Sequence, residues 1–459
     1  MKLFKWGLMK IFKISNFYFI FLINFLWNIQ LFPQQRDTLI LTLDEAISKA
    51  LENNWDIQIS RKDIQKSQEQ IDEAYANAFP RIEFTGNYTR NIKLPVLFIP
   101  PDNAFNPTHN TLTMELGSKN SYSGTIGLTQ VLYSQKVNTA IQIASDYSEF
   151  AKVGNQAAQD EVILSVKKNF YTILLAKQLV KVSKENYEAA KANFENVSSL
   201  YKQGVASEYD FLRSEVQVAN AQPMLIQSEN NLNLAKSSLK NLLTINIEQP
   251  IDIKGEFIFQ EVPQEILFEN SKNVVNRNPL IKQLELQEAL LDKNIIIQKA
   301  DYFPTIAFFG QYQFQTQDNT FNINRYLWPQ SFMVGLQVSY LLFDGFSRNA
   351  RVQQAIIDKD KVSLGRKKLE EGLKVQVLQA LMKMNESKKR VQAQEKSLLQ
   401  AEKALKIANT RYKSGVGTQL EIIDTQAALT FTQTNYFQAI YDYLIAKSEW
   451  EYSVSINSN

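Results

Sequence analysis

The 459-residue sequence contains no cysteine and a single histidine, His109. Without cysteine there can be no disulfide framework, no thiolate metal site and no lipid attached to an N-terminal cysteine. His109 lies in a stretch rich in asparagine and proline, so a histidine-based catalytic triad or metal site is not indicated. The sequence therefore predicts no catalytic residues, no metal site and no cofactor.

Two patterns that could carry chemistry have simpler structural interpretations. Gly415-Val416-Gly417 lacks the Lys-Ser/Thr pair that completes a phosphate loop, and it follows a predicted helix, so a helix stop accounts for it. The paired acids Glu370-Glu371 fall within a long predicted helix, where a solvated face accounts for them. We find no catalytic set, and the protein is not predicted to be an enzyme.

Outside the N-terminal segment, the chain has almost no net charge. The whole chain has a net charge of +3, but residues 1–36 hold five basic side chains and no acidic ones. The remainder has 45 basic and 47 acidic residues, a net charge of −2. This balance gives no electrostatic case for binding nucleic acid.

Residues 1–36 combine a basic start with a long apolar run. Lysines at positions 2, 5, 10 and 13 precede a phenylalanine-rich segment from Ile14 to Phe32. This order is typical of a secretory signal peptide, and we expect removal between Gln34 and Asp37. Because the run is long and has no clear small-residue cleavage site, an uncleaved membrane anchor is the alternative.

Proline is absent from two long stretches, and each stretch follows a strand-like pattern. Residues 331–343 alternate, with Phe332, Val334 and Leu336 on the apolar side. Helix-forming residues then continue from 346 to 413, about 100 Å at 1.5 Å per residue, whereas helices in globular proteins average about 11 residues. The same strand-to-helix junction is predicted earlier, between residues 121–133 and 134–203.

These elements recur in the same order in both halves of the chain. An offset of 211 places Tyr201-Lys202-Gln203-Gly204-Val205 on Tyr412-Lys413-Ser414-Gly415-Val416, and both glycines read as helix stops. We predict a first repeat at 37–245, with strands at 81–92 and 121–133 and helices at 134–203 and 207–243. A linker at 246–264 leads to a second repeat at 265–459, with strands at 305–315 and 331–343 and helices at 346–413 and 418–454.

Strand and helix lengths suggest how the repeats are used. Ten to thirteen residues suit a tilted membrane-crossing strand, and Tyr88, Tyr122, Trp328 and Tyr340 near the strand ends suit interfacial aromatic belts. Four strands cannot close a barrel, whose smallest form has about eight, so several copies must share one. Helices 207–243 and 279–303 together match one long helix, which predicts two shorter helices stacked end to end beside it.

The sequence resembles the outer membrane efflux protein family, the TolC-like channels, over about residues 40–455. The resemblance rests on the junction Tyr340-Leu341-Leu342-Phe343-Asp344-Gly345, the Phe-Pro-x-Ile junctions at Phe79 and Phe303, and the paired Tyr-Lys-x-Gly-Val turns. It implies a mainly α fold whose long helical hairpins form a periplasmic α-barrel. Four strands per chain would join a shared twelve-stranded barrel in outer-membrane lipid, as a homotrimer.

The resemblance also implies a function and partners. The channel would be the exit duct of a tripartite efflux pump or of a type I secretion system, docked on a periplasmic adaptor (membrane fusion) protein and an inner-membrane transporter. The substrate is left open, since drugs, metal ions and secreted proteins pass through such channels. A periplasmic coiled-coil adaptor is the alternative, because it too uses long helical hairpins, but it would need neither a second hairpin nor four amphipathic strands.

Candidate site residues lie at the two glycine turns. The resemblance places the acids Asp210, Glu421 and Asp424 at a narrow periplasmic entrance, with Tyr412 in the contacts of the closed state. Ser207-x-x-Asp210 and Thr418-x-x-Glu421 also fit capping boxes, so capping stays open for those two acids.

Asp424 lies too far into its helix to cap it. The turn residues expected to dock the adaptor are Gly204, Val205, Gly415 and Val416. Relatives often carry a basic residue near the second turn, where Gly417 stands here, so a lock of the closed state is expected to be weaker or built differently.

Overall fold

The computed structural model describes residues 37–271 and 274–455, and the signal peptide predicted at 1–36 lies outside them. Its helices are α1 (Leu43–Asn53), α2 (Trp55–Ala76), α3 (Gln135–Lys202), α4 (Glu208–Leu242), α5 (Gln264–Ser271), α6 (Val274–Arg277), α7 (Pro279–Lys299), α8 (Ser347–Lys413) and α9 (Gln419–Ser453). Its strands are β1 (Leu39–Leu41), β2 (Arg81–Arg90), β3 (Val96–Ile99), β4 (Leu112–Glu115), β5 (Asn120–Tyr133), β6 (Ile251–Ile253), β7 (Thr305–Asp318) and β8 (Gln330–Ser339).

The four long hairpin helices, α3, α4, α8 and α9, begin and end within one residue of the bounds predicted from the sequence. Three other predicted bounds need correction. Strand β8 ends at Ser339 rather than at 343, β7 continues to Asp318 rather than ending at 315, and β2 stops at Arg90 rather than at 92. Nowhere in 37–271 and 274–455 does a helix have the length and apolar content needed to cross a membrane.

A four-stranded antiparallel sheet has the order β2–β5–β7–β8. Because side chains alternate along a strand, the register separates the sheet into two faces. The apolar face carries Ile82, Phe84, Tyr88, Ile126, Leu128, Ile306, Phe308, Tyr312, Phe314, Phe332, Val334, Leu336 and Val338. The polar face carries mainly Ser, Thr, Asn and Gln, among them Thr85, Asn87, Thr125, Gln311, Gln313 and Gln337. The alternation predicted from the sequence therefore holds across the whole sheet.

Two cross-strand pairs in this sheet place an aromatic ring on a glycine. Phe314 lies opposite Gly124, where an added Cβ would come within 2.2 Å of the ring. Phe309 lies opposite Gly335, where the corresponding distance is 2.8 Å. No side chain fits at either glycine unless the ring moves, so these pairs help to fix the register.

The ends of the sheet differ in their surroundings. At the end remote from the long helices, Tyr88 stacks on Tyr122 at 4.7 Å between ring centroids, and Phe321, Tyr326 and Trp328 pack around Tyr122. At the opposite end, β2 and β7 follow shorter helices, and β5 and β8 lead into the long helices α3 and α8. Aromatic side chains thus gather where strands end, as the sequence predicts.

The helices form one layer of side-by-side columns, where a column is either one long helix or two shorter helices. The columns follow one another in the same order as the strands. The first half of α3 contacts α2 and α7, through Ser60 with Asn155 (2.8 Å) and Lys293 with Asp146 (2.6 Å). Its second half contacts α4 and α9. Since α8 packs on α7 and α9, the column order is α2 with α4, then α3, then α7 with α9, then α8.

End-to-end stacking occurs, but with partners different from those inferred from helix lengths. The start of α2 meets the end of α4, where Asn54 Nδ2 donates to the Leu242 carbonyl at 3.0 Å. The start of α7 meets the end of α9, where Ile281, Trp450 and Val454 share one core. The sequence-based pairing of helix 207–243 with helix 279–303 is therefore wrong, because each short helix stacks within its own half.

The segment predicted as a linker, 246–264, is partly structured. Within it, β6 pairs in parallel with β1, Leu39 opposite Ile251 and Leu41 opposite Ile253. Asp252, which lies between Ile251 and Ile253 in β6, forms ion pairs with Lys177 at 2.8 Å and with Lys236 at 3.1 Å. This small sheet covers α3 and α4 near the middle of the helical layer and ties the two halves of the chain together.

Candidate functional site

The two helical hairpins turn in the same way. In the first turn, Val205 N–H donates to the Leu200 carbonyl and Gly204 N–H to the Tyr201 carbonyl, both at 2.9 Å. In the second, Val416 N–H donates to Arg411 and Gly415 N–H to Tyr412, both at 3.0 Å. These are Schellman closures, which need a left-handed residue after the helix, and the glycines have φ of 73° and 76°.

The valines that follow the two glycines project from the turns. Val205 is 71% exposed and Val416 is 68% exposed. They stand at the far end of the helical layer from the sheet, where each hairpin reverses. Each turn therefore exposes an apolar side chain at this end of the molecule.

The second turn is tighter than the first. Gly417 N–H donates to the Arg411 carbonyl at 3.0 Å, and an added Cβ would lie 2.8 Å from Tyr412 N and 2.9 Å from Arg411 C. The matching residue of the first turn is Ala206, whose N–H reaches the Leu200 carbonyl at 3.3 Å. Close approach of backbone to backbone explains why glycine stands at 417.

Asp210 and Glu421 occupy equivalent positions but have different partners. Ser207 Oγ accepts from Asp210 N–H at 3.1 Å and donates to the Asp210 carboxylate at 2.6 Å, so Asp210 is part of the α4 cap. Thr418 Oγ1 accepts from Glu421 N–H at 3.3 Å, but the Glu421 carboxylate bonds Arg411 Nε at 3.2 Å. Neither capping box is complete, because the Asp210 carboxylate accepts from the Ser207 hydroxyl rather than from its backbone N–H, and the Glu421 carboxylate bonds Arg411 instead.

Asp424 faces the other hairpin. Its carboxylate lies 3.7 Å from Arg213 Nη2 on α4, and its side chain remains 65% exposed. Arg213 also donates to the Tyr209 hydroxyl at 3.3 Å. The Arg213–Asp424 ion pair therefore connects the two return helices, α4 and α9, near their starts.

Tyr412 lines a groove between the hairpins. The groove has a volume of about 560 Å³, and its lining residues include Asn193, Leu200, Gln217, Leu405, Tyr412 and Ile422. Burial, and next the nearby Asp210 carboxylate, raise the pKa of Tyr412 above its ordinary value. A tyrosine hydroxyl is protonated at neutral pH, so Tyr412 can donate a hydrogen bond in this groove.

The structure adds two residues that reasoning from the sequence missed, Arg213 and Arg411. Arg411 donates to the Glu421 carboxylate and to the Val416 carbonyl, so it joins the end of α8 to the turn and to α9. The sequence contained a signal, since Arg411 and Glu421 bracket the turn and Arg213 follows Asp210 by three residues. The cations stand on the helices beside the turn rather than at Gly417.

The sequence is similar to those of known proteins. A sequence model of the family described as "Outer membrane efflux protein" matches residues 46–244 and 270–449. The probable efflux pump outer membrane protein TtgC of Pseudomonas putida is 23% identical over 404 residues, which cover 85% of this chain and 78% of that protein. Nodulation protein T of Rhizobium leguminosarum bv. trifolii is 21% identical over 417 residues, covering 87% and 82%.

Solved structures share the fold. The Campylobacter jejuni CmeC outer membrane channel has a TM-score of 0.73 at 14% identity, covering 90% of this chain and 85% of that one. The similarity extends over the sheet and the helical layer together, so the two halves of the molecule form one known architecture.

Proposed function

The chain belongs to the outer membrane efflux protein family, and we propose that three copies form one channel, the exit duct of a tripartite efflux pump or type I secretion system. The observation that carries this proposal is the sheet β2–β5–β7–β8, which has one apolar face and two open edges. Backbone N–H and C=O groups at an open edge have no partner in lipid, so the sheet must close with other copies.

Closure with three copies gives twelve strands. Two copies would reach eight, the smallest barrel size, so the number three rests on family membership. In the closed barrel, β8 of one copy pairs with β2 of the next, the apolar face contacts lipid and the polar face lines the lumen. The aromatic side chains around Tyr122 would lie at one membrane surface, and the exposed Phe79, Phe303, Tyr340 and Phe343 at the opposite strand ends would lie at the other.

The helical layer supports the same arrangement, since large apolar side chains are exposed at both of its edges. On α8 these are Ile357, Leu364, Val375, Leu378, Met382 and Ile407. On the column of α2 and α4 they are Ile59, Leu212, Val216, Met224 and Leu234. Extended apolar stripes of this kind mark interfaces, and α8 of one copy packing on α2 and α4 of the next would cover both.

The helical tunnel would extend from the outer membrane into the periplasm and meet an adaptor and an inner-membrane transporter. The exposed Val205 and Val416, with Gly204 and Gly415 behind them, are the proposed contact points for the adaptor. The coiled-coil adaptor alternative is disfavoured, because an adaptor has no use for a sheet with a lipid-sized apolar face.

At the tunnel tip, we assign the acids two roles. Asp424 and Glu421 lie three residues apart on α9, so in a trimer they would form a ring of six carboxylates around the entrance. Arg213 and Arg411 hold these carboxylates toward the helices and restrain α9. Asp210 caps α4 close to Tyr412, whose hydroxyl would complete the closed-state contacts.

The assembly is tested by density-gradient fractionation followed by gel electrophoresis without heating. We expect a heat-labile oligomer in the outer-membrane fraction, because barrel closure is shared. A monomer in the inner membrane or free in the periplasm would overturn the proposal.

The entrance is tested by a pair of opposite substitutions recorded in planar bilayers. Asp424→Asn and Arg213→Gln break the same ion pair, but the first removes a negative charge and the second unmasks one. If the carboxylates set the field at the entrance, Asp424→Asn lowers cation selectivity and block by polyvalent cations, and Arg213→Gln raises both.

Glu421→Gln and Arg411→Gln form the matching pair on the other side of the turn. Equal changes in both members of each pair would leave only a restraining role for the ion pairs. Unchanged selectivity and block in all four variants would reduce these acids to caps and solvated surface.

A further inference from the structure

Helices α3 and α7, which pack antiparallel within one chain, show how α8 and α2 can pack between copies. Lys136 at the start of α3 forms an ion pair at 2.5 Å with Asp301, just after α7. Farther along, a Cβ added at Gly154 of α3 would lie 3.0 Å from Gln283 Nε2 of α7. Helix α8 is the repeat counterpart of α3, and α2 is that of α7. In the proposed channel, α8 of one copy therefore lies beside α2 of the next, as α3 lies beside α7.

The repeat also sets the register of this contact between copies. Helix α8 follows α3 at the offset of 211 that relates the two glycine turns, and the N-caps Asn54 and Asn278 set the offset between α2 and α7 at 224. With these offsets, the glycine–glutamine contact within one chain becomes a contact of Gly365 with Ile59 of the next copy. In the single chain Ile59 is 60% exposed, and a Cβ added at Gly365 meets open space.

Opposite charges meet along this register. In antiparallel helices, steps of three and four residues along α8 match the same steps in reverse along α2. Counted from Gly365 and Ile59, these steps bring together three pairs, the second residue of each belonging to the next copy: Lys368 with Asp56, Lys361 with Asp63, and Asp358 with Lys66. Two further steps bring Arg351 to Glu73, and the next reaches the counterparts of Lys136 and Asp301. Both contacts of the α3–α7 pair therefore give the same register.

Most of these charges have no counter-charge within one chain. Among the residues that the structure describes, five of them are exposed and have no ion-pair partner: Asp56, Asp63, Lys66, Glu73 and Lys368. Asp358 and Lys361 pair with each other at 3.1 Å. A neighbouring α2 would add Lys66 beside Asp358 and Asp63 beside Lys361, which completes a square of alternating charges.

The same charges disfavour the adjacent registers. A slip of one heptad in one direction places Arg351 against Lys66, and a slip in the other direction places Asp358 against Glu73. Each slip creates one like-charge pair and keeps only one opposite-charge pair. Exposed ion pairs add little affinity, but like charges placed face to face exclude wrong arrangements.

We infer that α8 of each copy binds α2 of the next through this ladder of opposite charges, and that the ladder selects both the register and a second copy as the partner. The inference rests on the proposed trimer. Leu364 and Ile59, which are 64% and 60% exposed in the single chain, would be covered by the same contact and supply its apolar burial.

Disulfide cross-linking tests the register, because the natural chain has no cysteine. Within one chain the columns of α3 and α7 separate α2 from α8, so Ile59→Cys and Gly365→Cys can bridge only between copies. We expect oxidised trimers of this double variant to give covalent multimers on denaturing gels, with a yield about tenfold above that of Lys66→Cys with Gly365→Cys, which is one heptad out of register. Gln70→Cys with Gln354→Cys is a second pair in register and should behave like the first.

Intact trimers of both in-register pairs that give only monomers after oxidation would overturn the inference. Equal yields from the in-register and out-of-register pairs would also overturn it. A natural chain that never forms trimers on unheated gels would instead refute the proposed channel, so the two failures are distinguishable.

Charge reversal tests the ladder itself. Lys361→Glu places an acid opposite Asp63 and should lower the temperature at which the oligomer dissociates on gels of samples heated in steps. Adding Asp63→Lys should recover most of that loss, whereas adding Asp72→Lys, an exposed acid on another face of α2, should not. The loss should shrink at about 1 M salt, where charges are screened within about 3 Å. No loss in Lys361→Glu, or equal recovery by both lysines, would contradict the ladder.

Discussion

Asn54 joins two helices end to end, and its removal should loosen that joint measurably. It is 4% exposed, its Oδ1 accepts from Asp56 N–H at 2.9 Å to cap α2, and its Nδ2 donates to the Leu242 carbonyl at the end of α4. Loss of an N-cap costs about 1 kcal/mol. Loss of the partly buried bond to Leu242 costs about 1 kcal/mol more.

Asn54→Ala should therefore lower the local free energy of opening by about 2 kcal/mol, which corresponds to roughly 30-fold faster amide exchange. Hydrogen exchange of peptides covering residues 52–62, followed by mass spectrometry on the extracted oligomer, measures this directly. Global melting is less informative, because unfolding of such an assembly is expected to be irreversible.

Two further variants separate the two contributions. Asn54→Ser keeps a capping oxygen but is too short to reach Leu242, so its exchange should rise only about fivefold, for about 1 kcal/mol. Asn278→Ala removes the equivalent cap of α7, where Oδ1 accepts from Leu280 N–H at 2.9 Å, and should also give about a fivefold rise at its own site. If Asn54→Ala opened no faster than Asn54→Ser, the cap would contribute nothing and the reasoning would fail.

Much of the fold could be predicted from the sequence because its signals are local. Strand alternation depends only on a period of two, and it assigned the apolar and polar faces of β8 correctly. The helix stops at Gly204 and Gly415 depend on one left-handed residue each. Asparagine is a favoured N-cap residue and Asn54 caps α2, since a capping side chain bonds backbone two or three residues away.

What the sequence could not supply depends on contacts between distant residues. The β1–β6 pair joins segments more than 200 residues apart through strands of three residues, too short to show a pattern. The choice of stacking partner for α2 rests on one side-chain bond, from Asn54 to Leu242, and helix lengths alone cannot decide it. Prolines at 95, 100, 101 and 107 favour a loop between β2 and β5, but they lie outside β3 and β4, which pair with each other.

The tip acids illustrate the same limit in side-chain chemistry. Spacing alone made Glu421 a candidate for a capping box, because the pattern Thr-x-x-Glu is sufficient for one. In the structure, the Glu421 carboxylate instead accepts a hydrogen bond from Arg411, ten residues earlier. The tight turn brings the end of α8 against the start of α9 and makes this contact possible. Which charge pairs with which is set by the turn geometry and not by the local motif.

Two further substitutions test particular contacts in the helical layer. Gly417→Ala would force a Cβ against the backbone of Arg411 and Tyr412, so we expect a cost of about 1–3 kcal/mol and faster exchange in the second turn, whereas Ala206→Gly should leave the first turn closed. Equal exchange in Gly417→Ala and the natural protein would contradict the close approach. Asp252→Asn tests the contact between β6 and the lysines of α3 and α4. Burial raises the pKa of Asp252, but hydrogen bonds from Lys177 and Lys236 outweigh burial and hold that pKa below its ordinary value. A lowered pKa in the folded state means that the ionised carboxylate stabilises the fold above about pH 4 and that this contribution is lost as the pH falls through the folded-state pKa. Because the side chain is 39% exposed, solvent screening limits the effect to about 1 kcal/mol or less. Exchange of residues 249–255 should therefore quicken in the natural protein as the pH falls below 4, after correction for the intrinsic exchange rate, and should be faster but insensitive to this step in Asp252→Asn. The same acid response in both would show that another group carries it.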